Sequence, residues 1–460
     1  MMTLERVVAV LEPTDVLGRA PVGLRDLAYD TRALSQGSLF FCVRGAHVDG
    51  HDLAGEAIER GAVALVVEHP VEARVPQLVV PSTRAAMAVA ADEFFGRPTE
   101  ELQVAGVTGT NGKTTTAFLL FAILAAAGRR PGLLGTIEAR VGGERRGVVH
   151  TTPEAIDLQR TFREMLDAGD RSVAMEASSH ASTMRRLDRV RFAALVFTNL
   201  TQDHLDFHGS MDEYFEAKRR LFLETRPPAA INVGNPYGRR LADERPDALT
   251  FGDGGELGPE ALEGIDLKLR GRFNIDNALG AFAAGRLLGI DDDAIARGLE
   301  SVRGVPGRFE SIDEGQPFAV IVDYAHTPDA LANVLRAARG LGEGRVICVF
   351  GAGGDRDREK RPQMGRAVSE NADVAIVTSD NPRSEDPRAI IDAVVAGTSG
   401  EVEVESDRAA AIARAVELAR DGDVVVIAGK GHEPGQQFAD RTLPFDDREA
   451  ARDALRKART

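Results

Sequence analysis

The stretch from Val104 to Thr116 has the residue types that hold phosphate groups: an apolar run, then glycines, then Lys-Thr. Glycines let backbone N–H groups close on phosphate oxygens, a lysine reaches the terminal phosphates, and the next threonine hydroxyl is placed to ligand Mg²⁺. The strict eight-residue phosphate-loop pattern is not met, because its first glycine would fall on Val107. An ordinary glycine-rich turn is the alternative, but strand, loop, Lys-Thr and helix in this order favour an ATP site. The predicted ATP-site residues are Gly109, Thr110, Asn111, Gly112, Lys113, Thr114 and Thr115.

Two further strand-like runs end in side chains that could act on a bound nucleotide. Ser172–Glu176 ends in a carboxylate, and Ala194–Asn199 is followed by Asp203 and His204. In an open parallel sheet, ligands gather at the carboxyl ends of the strands, so both groups are predicted to lie near the phosphate loop. A carboxylate and an imidazole beside a Mg-nucleotide are natural metal ligands. Singly, Glu176 or His204 is more typical of a solvated loop, but both at strand ends favour a site.

The helix predicted after Gly209 carries a lysine within its apolar face. The residues that share this face are Met211, Tyr214, Phe215, Lys218, Leu221 and Phe222. A lysine at the edge of such a stripe usually extends its ammonium group to water, and the pattern alone favours this interpretation. The alternative is a buried lysine, whose pKa is depressed by desolvation and whose neutral amine is reactive.

The C-terminal third is predicted to carry a rim of polar loops. The strands predicted to deliver these loops from their carboxyl ends are Ala319–Asp323, Arg345–Phe350, Asp373–Thr378 and Asp423–Ala428. Basic side chains (Arg356, Lys360, Arg383) alternate there with acidic ones (Asp380, Glu433). Such a lining suits a ligand with both carboxylate and ammonium groups, whereas charged surface loops around a structural domain are the alternative.

Upstream of this rim, Asn274 and Asn277 lie on one face of a predicted helix, where both can donate amide hydrogen bonds. Helix capping would explain Asn274 alone, but it would not explain both asparagines. The pair is therefore a candidate for ligand binding.

The composition limits the class of protein. With 460 residues the chain is too long for one core, so roughly two to three domains are expected. Its net charge of -15 argues against a general nucleic-acid or anionic-membrane surface. Cys42 and Cys348 each lie in an apolar run and are predicted to be buried thiols, as in a reducing compartment. No signal peptide and no bilayer-spanning apolar run are visible, so the predicted location is the cytoplasm.

Three α/β blocks are predicted, with boundaries at segments rich in glycine and proline: residues 1–98, 99–305 and 306–460. The first is a small unit with buried strands at Ser38–Val43, Ala64–Val67 and Gln77–Val80. The second contains the phosphate loop, and the third contains the rim of polar loops.

In their order along the chain these motifs resemble the Mur ligase family, and within it the MurE-type members, which add the third amino acid of the peptidoglycan stem peptide. The motifs are Thr108–Thr115, Thr151–Glu154, Glu176–His180, Asp203–Asp206, Glu216–Lys218, Asn274 with Asn277, Asp323–Pro328, Gly353–Arg358, Asp380–Arg383 and Gly429–Glu433. The resemblance implies an α/β fold of three domains: one for the UDP end of the substrate, a central P-loop ATPase-like domain with a parallel sheet, and a C-terminal Rossmann-like domain for the amino acid. It also implies an ATP-dependent ligase that forms an amide bond through an acyl phosphate.

The resemblance assigns roles to single residues. Lys113 would act in catalysis. One Mg²⁺ would be held by Thr114 and Glu176, and a second by Glu176, His204 and a carbamylated Lys218. The nucleotide would also contact Asn274, Asn277, Arg308 and Asp323. The UDP-linked muramoyl dipeptide would contact Thr31, Arg32, His47, Thr151, Thr152, Ser178 and Arg186. The amino acid would contact Arg356, Asp380, Asn381, Pro382, Arg383, Gly429 and Glu433.

Arg383 indicates which amino acid is added. Members that take meso-diaminopimelate resemble this chain in carrying Asn-Pro-Arg at 381–383. The arginine can pair with the far carboxylate of diaminopimelate, which the substrate L-lysine lacks. Glu433 can pair with the ammonium beside that carboxylate. meso-Diaminopimelate is therefore the expected amino acid, and L-lysine is the alternative.

Other ligases of the same fold and a nucleotide-dependent binding protein are the alternative functions. A MurF-type or folylpolyglutamate ligase would use the same central domain, but the loops at Asp380–Arg383 and Gly429–Glu433 argue against both. A nucleotide-dependent binding protein has no need for two metal sites, so the set of Lys113, Glu176, His204 and Lys218 argues against that class. The expected partners are small molecules only, with no nucleic acid and no membrane, and the expected state is a monomer.

Overall fold

The structure is a computed structural model that describes residues 2–18, 22–45 and 48–458. The chain divides into two compact units. The first unit contains Met1–Val107, Gly128–Leu195 and Arg220–Pro228, and the second contains Thr108–Ala127, Val196–Arg219 and Ala229–Thr460. Elements that run across a boundary between the units are Gln103–Thr108, Phe192–Phe197 and Met211–Leu223.

The amino-terminal part of the first unit is built on a mostly parallel sheet. Its strand order is Asp15–Leu17, Gln77–Val79, Ala62–Val67, Ser38–Phe41 and Asp26–Ala28, and a short ladder pairs Met2–Thr3 with Gly23–Leu24. The strand Asp15–Leu17 is antiparallel to its neighbour, while the other pairs are parallel. The accompanying helices are Leu4–Leu11, Ala54–Glu59 and Thr83–Phe94. The predicted strands are confirmed, because strands buried on both faces leave continuous apolar runs in the sequence.

The first unit also contains a sheet with the strand order Glu144–Arg146, Ala139–Val141, Pro131–Leu134, Ser172–Glu176 and Gln103–Thr108. The last three strands are parallel, and Glu176 lies opposite Val107. The helices Ala155–Asp167 and Ser179–Thr183 belong to this part. The predicted strand Ser172–Glu176 is thus confirmed, with its terminal carboxylate at the carboxyl end.

In the second unit, the helix after the phosphate loop spans Lys113–Ala126. It begins directly after Gly112, which ends the loop in a left-handed conformation. The helices Arg272–Leu287 and Asp292–Ser301 pack against it. Nearby in the chain are the helices Leu205–His208, Met211–Leu223 and Pro236–Glu244 and the parallel strands Ala229–Asn232 and Leu249–Phe251.

The carboxyl-terminal part of the second unit is a sheet with the strand order Glu310–Ser311, Ala319–Asp323, Val424–Ala428, Val346–Phe350, Val374–Val377 and Glu403–Val404. All neighbours from Ala319–Asp323 onward are parallel. Its helices are Pro328–Arg339, Lys360–Asn371, Pro387–Val395, Arg408–Leu418 and Asp447–Ala458, and Gly435–Gln437 pairs with Thr442–Pro444 in a hairpin. Parallel strands bring their following loops to one edge, so the predicted rim is confirmed.

These sheets confirm the predicted α/β class, whereas the predicted boundaries after residues 98 and 305 stay predictions. Short 3₁₀ turns occur at Thr31–Ala33, Pro98–Glu100 and Pro259–Leu262. Cys42 and Cys348 are buried free thiols, as expected. Within residues 2–18, 22–45 and 48–458, no helix has the length and apolar character needed to cross a membrane.

Candidate active site

The phosphate loop in the second unit needs glycine at its two bends. Gly112 has a φ of +86°, and a Cβ there would lie 2.2 Å from Oδ1 of Asn277. At Gly109, with a φ of +149°, a Cβ would lie 1.9 Å from Oγ1 of Thr198. Any larger residue would therefore strain the backbone and displace a buried polar side chain.

Two lysines converge on the carbonyl of Gly109. Lys113 Nζ donates to the carbonyls of Gly109 (3.0 Å) and Thr110 (2.7 Å). Lys218 Nζ donates to the Gly109 carbonyl from the other helix, over 2.9 Å. Both lysine side chains therefore lie at the loop where the phosphates are predicted to bind.

Lys218 lies on the buried face of the helix Met211–Leu223, with only 1% of its surface exposed. Its Nζ is 4.7 Å from the ring centroid of Tyr214. Burial, followed by the nearby Lys113, lowers the pKa of Lys218 well below its ordinary value, although Asp203 opposes the shift. The buried lysine is thus the correct alternative, and the lysine extended to water is excluded.

The segment that follows the strand Phe192–Phe197 is hydrogen-bonded to the phosphate loop. The Asn111 N–H donates to Oδ1 of Asn199 (2.9 Å), and the Asn111 carbonyl accepts from Thr198 Oγ1 (2.6 Å) and Asn199 Nδ2 (3.2 Å). The strand ends before Asn199, its predicted last residue, because Thr198 and Asn199 make these loop contacts. The predicted proximity of these two loops is confirmed.

Asp203 is a buried carboxylate that lies close to one lysine and two histidines of the second unit. Lys360 Nζ lies 3.2 Å from its Oδ1, while Nε2 of His204 and Nε2 of His326 lie 3.3 and 3.6 Å from its Oδ2. Burial raises the pKa of Asp203, but the contacts with His326, His204 and Lys360 outweigh burial and hold the pKa well below its ordinary value. Asp203 therefore ties the loop of His204 to the rim of polar loops.

Arg308 reaches the first turn of the phosphate-loop helix. Its Nη2 donates to Oγ1 of Thr114 (3.0 Å), and its guanidinium lies 4.2 Å from the ring centroid of Tyr324. Asp323 accepts the backbone N–H of Phe309 over 2.6 Å and so fixes the chain next to Arg308. Burial raises the pKa of Asp323. The predicted nucleotide residues Thr114, Arg308 and Asp323 are thus neighbours.

Asn274 and Asn277 are both buried near the start of the helix Arg272–Leu287, as predicted. Asn277 Nδ2 donates to Oδ1 of Asn274 (3.0 Å), and Asn274 Nδ2 donates to the carbonyl of Arg270 (2.7 Å). Gly271 holds the N-cap position, so neither asparagine is the cap residue. The Asn277 amide also faces Gly112, which places the pair beside the phosphate loop.

The rim of polar loops brings most of the predicted amino-acid residues together. Asn381 Nδ2 donates to Oε2 of Glu433 (2.8 Å), and the Tyr324 hydroxyl donates to Oε1 of Glu433 (3.4 Å). The Gly429 N–H donates to the carbonyl of Asp323 (3.1 Å). Residues from three different strand ends therefore meet around one carboxylate. Asp380 and Pro382, which flank Asn381, are buried in the same loop.

Arg383 has a left-handed backbone with a φ of +53°. Its Nη1 donates to the carbonyl of Gly354 (2.6 Å), and its N–H donates to the carbonyl of Gln437 (3.0 Å). Burial, followed by the nearby Arg356, lowers the pKa of Arg383. Arg383 also borders a cavity of about 290 Å³. Arg356 is more exposed, and its Nη1 donates to the carbonyl of its neighbour Asp355 (2.9 Å).

In the first unit, Glu176 is the centre of a separate polar group. Its carboxylate accepts from the N–H of Thr136 (2.7 Å) and from the Thr136 hydroxyl (3.1 Å). The Thr152 hydroxyl donates to the Glu176 carbonyl (2.8 Å) and accepts the N–H of Ser178 (3.2 Å). Thr151 lies 3.1 Å from the Thr136 hydroxyl. These predicted residues therefore form one cluster.

Arg186 belongs to the same cluster, because its Nη1 donates to the carbonyl of Thr152 (3.0 Å) and its Nη2 pairs with Glu154 (2.8 Å). Of the residues predicted for the uridine end, Thr31 is buried, while Arg32 is exposed and pairs with Asp30 (2.7 Å). His47 lies outside the described residues. The predicted contacts of these residues with a substrate stay predictions.

Family models match the chain along most of its length. The Mur ligase family catalytic domain matches residues 25–95, the Mur ligase middle domain residues 107–257, and the Mur ligase glutamate ligase domain residues 307–431. A relative from Solibacter usitatus, named UDP-N-acetylmuramoyl-L-alanyl-D-glutamate--2,6-diaminopimelate ligase, is 47% identical and is aligned over 94% of this chain and 93% of its own. The chain belongs to the Mur ligase family.

Solved Mur ligase structures agree with this assignment. A structure of UDP-N-acetylmuramoyl-L-alanyl-D-glutamate--2,6-diaminopimelate ligase has a TM-score of 0.68 and 29% identity, and it covers 100% of this chain and 99% of its own. A MurF ligase from Thermotoga maritima in complex with ADP has a TM-score of 0.61 at 20% identity, with coverage of 94% and 97%, and supports the fold alone. The expected three-domain Mur ligase fold is therefore confirmed.

Membership of the Mur ligase family also decides the enzyme class. Mur ligases are ATP-dependent enzymes that form amide bonds, so the predicted use of ATP is confirmed. A binding protein without ligation chemistry is excluded. The roles of single residues in this Mur ligase stay predictions.

Several polar residues of the site were not singled out from the sequence. Thr136, whose N–H and hydroxyl both bind Glu176, lies in an unremarkable stretch that gives no signal. Asp203 and Lys430 lie in the motifs Asp203–Asp206 and Gly429–Glu433, but residue type alone does not indicate which side chains they contact. In the part of the chain that the structure describes, no cluster of three or more His, Cys, Asp or Glu side chains is placed to hold a metal ion.

Proposed function

We propose that this Mur ligase adds meso-diaminopimelate to the D-glutamate γ-carboxylate of UDP-N-acetylmuramoyl-L-alanyl-D-glutamate in peptidoglycan synthesis. The observation that carries the proposal is the cluster of Arg383, Asn381 and Glu433, which offers a cation and an anion to a ligand that bears both charges. The similarity to the diaminopimelate ligase of Solibacter usitatus over nearly the whole chain supports it.

The reaction has two steps. The γ-carboxylate attacks the γ-phosphate of ATP and releases ADP, which gives an acyl phosphate. The neutral amine of diaminopimelate then attacks the acyl carbon, the amide forms and phosphate leaves. Lys113 stabilises the charge on the transferring phosphoryl group, and positioning with electrostatic stabilisation supplies most of the catalysis. The cluster of Thr151, Thr152 and Ser178 holds the dipeptide end.

In the second unit, Mg²⁺ would be held by Thr114, His204 and a carbamylated Lys218. Burial and the neighbouring Lys113 lower the pKa of Lys218, and this shift favours the neutral amine, which is the form that reacts with CO₂. Carbamylation would give the Lys218 side chain an oxygen donor of the kind Mg²⁺ prefers. Bound Mg²⁺ supplies charge neutralisation on the phosphates.

The test is phosphate release from ATP with UDP-N-acetylmuramoyl-L-alanyl-D-glutamate, comparing meso-diaminopimelate with L-lysine. Turnover with diaminopimelate and not with lysine is expected. Turnover with lysine would keep the chemistry but end the role of Arg383 in specificity. No turnover with either amino acid would point to a MurF-type or folylpolyglutamate ligase. Action as a monomer in the cytoplasm, with no nucleic-acid partner, is part of the same proposal.

A further inference from the structure

A fully buried lysine contacts two residues of the amino-acid cluster (Asp380, Asn381, Arg383, Gly429 and Glu433), although neither step of the proposed reaction uses it. Lys430 has an exposure of 0%. Its Nζ donates to Oδ1 of Asn381 over 3.0 Å and to Oε2 of Glu433 over 3.2 Å. A buried ammonium is costly unless anionic or polar partners surround it, so these contacts must be retained while the loop is folded.

The Lys430 ammonium fixes the orientation of the Asn381 amide. Oδ1 of Asn381 accepts from Lys430 and also from the backbone N–H of Gln437 (3.0 Å). Two donors at one end of the amide require an oxygen there, so the NH₂ group must point to the other side. There it donates to Oε2 of Glu433 (2.8 Å).

The two carboxylate oxygens of Glu433 have different hydrogen-bond partners. Oε2 accepts from both Lys430 and Asn381, whereas Oε1 has the Tyr324 hydroxyl at 3.4 Å. The Glu433 side chain is 29% exposed, so a ligand can reach it, while Lys430 is sealed behind it. Oε1 is therefore the oxygen left for an incoming ammonium.

We infer that Lys430 is a positioning residue for the amino-acid substrate, which acts by holding Asn381 and Glu433 so that Oε1 of Glu433 faces the ammonium at the far end of diaminopimelate. This inference rests on the proposed function. Lys430 does not touch the substrate. Without it the carboxylate would lose the strongest of its Oε2 partners and would be free to rotate away from the substrate.

The experiment is a double-mutant cycle on the full-length enzyme, with Lys430→Met, Glu433→Gln and the double variant, measured by phosphate release at saturating ATP. The wild-type enzyme is assayed first with meso-diaminopimelate. We expect Lys430→Met to raise the KM for diaminopimelate about tenfold, with the KM for ATP unchanged. Because Lys430 acts through Glu433, the double variant is expected to resemble Glu433→Gln alone and not to multiply the two effects.

Two further variants control for misfolding and for nonspecific effects of replacing a lysine. Lys430→Gln keeps a neutral donor near Asn381 and replaces Lys430→Met in the cycle if thermal unfolding shows that the methionine variant is not folded. Lys268→Met, at a lysine with 46% side-chain exposure, is the matched control and is expected to leave every constant unchanged. An inactive wild-type enzyme would defeat the proposed function together with this inference. An active wild-type enzyme with multiplicative effects, or with an unchanged KM in the Lys430 variants, would overturn the inference alone.

Discussion

The phosphate loop (Gly109–Thr115) and the amino-acid cluster (Asp380, Asn381, Arg383, Gly429 and Glu433) present ligand-binding groups in different ways. The loop depends on backbone shape, since Gly109 and Gly112 leave no room for a Cβ. The cluster depends on side chains from separate loops that hold one another, as Asn381 holds Glu433. The shape of the phosphate loop is determined by a few consecutive residues, whereas the side chains of the amino-acid cluster are brought together only by the folded sheet.

The difference has a consequence for specificity. Every Mur ligase must bind the same nucleotide, and a backbone cradle suits a ligand whose phosphates are always alike. The amino-acid substrate must be distinguished from similar amino acids. Charged side chains suit this task, because a substitution of one of them can change which amino acid binds. Substitutions in the two regions should therefore affect different kinetic constants, and the following predictions test that separation.

The largest effect is expected at Lys218. Lys218→Ala should lower turnover by about a thousandfold, because the side chain proposed to hold Mg²⁺ as a carbamate is removed. Added short carboxylates should restore part of the activity if the carbamate supplies an oxygen ligand. The measurement is phosphate release with and without acetate or formate.

Arg219→Ala provides the control on the same helix, since Arg219 is half-buried and pairs with Glu216 (2.9 Å) and Glu244 (2.9 Å). It should keep nearly full activity. Full activity of Lys218→Ala in buffers free of CO₂ would contradict the carbamate.

The next effect concerns the shape of the phosphate loop. Gly112→Ala should reduce kcat/KM for ATP roughly a hundredfold, because the new Cβ would collide with Oδ1 of Asn277 at a backbone angle that alanine avoids. The KM for diaminopimelate should stay near the wild-type value. Steady-state kinetics with each substrate varied in turn would measure both constants.

Gly128→Ala is a matched control at the other end of the same helix. Gly128 also has a positive φ, +71°, but nothing lies within 4 Å of its added Cβ. This variant should lose only about 1 kcal/mol of stability and keep its kinetic constants. Wild-type ATP kinetics in Gly112→Ala would show that the space beside Asn277 does not determine ATP binding.

The sequence predicted the phosphate loop, the strand ends and the apolar strands because each is a local pattern. The strand Ser172–Glu176 and its terminal carboxylate, for example, lie where the apolar run predicted them. The depth of Lys218 could not be predicted, since helical spacing gives a face but not its burial. The partners of Asp203 could not be predicted either. Lys360 is 157 residues away in the chain and comes close to Asp203 only when the second unit is folded.

Specificity should respond to Arg383 with a smaller effect. Arg383→Ala is expected to raise the KM for meso-diaminopimelate more than ~10-fold and to leave the KM for ATP unchanged, because a charge-assisted contact with the far carboxylate is lost. Phosphate release with the amino acid varied is the measurement. Arg388→Ala, an exposed arginine paired with Asp392, serves as the control. An unchanged KM for diaminopimelate would remove Arg383 from the binding site.

The smallest effect is expected where the two regions meet. Asp203 precedes His204, whereas Lys360 follows the rim loop at Gly353–Arg358, and their ion pair is buried on both sides. Lys360→Met should therefore raise the KM values for ATP and for diaminopimelate together, by roughly three- to fivefold, and lower the Tm. The single variant leaves the Asp203 carboxylate without its lysine in a buried place, so adding Asp203→Asn should recover part of the lost Tm. If only one of the two KM values changed, the Asp203–Lys360 pair would affect the binding of that substrate alone. The phosphate loop and the amino-acid cluster would then act independently of each other.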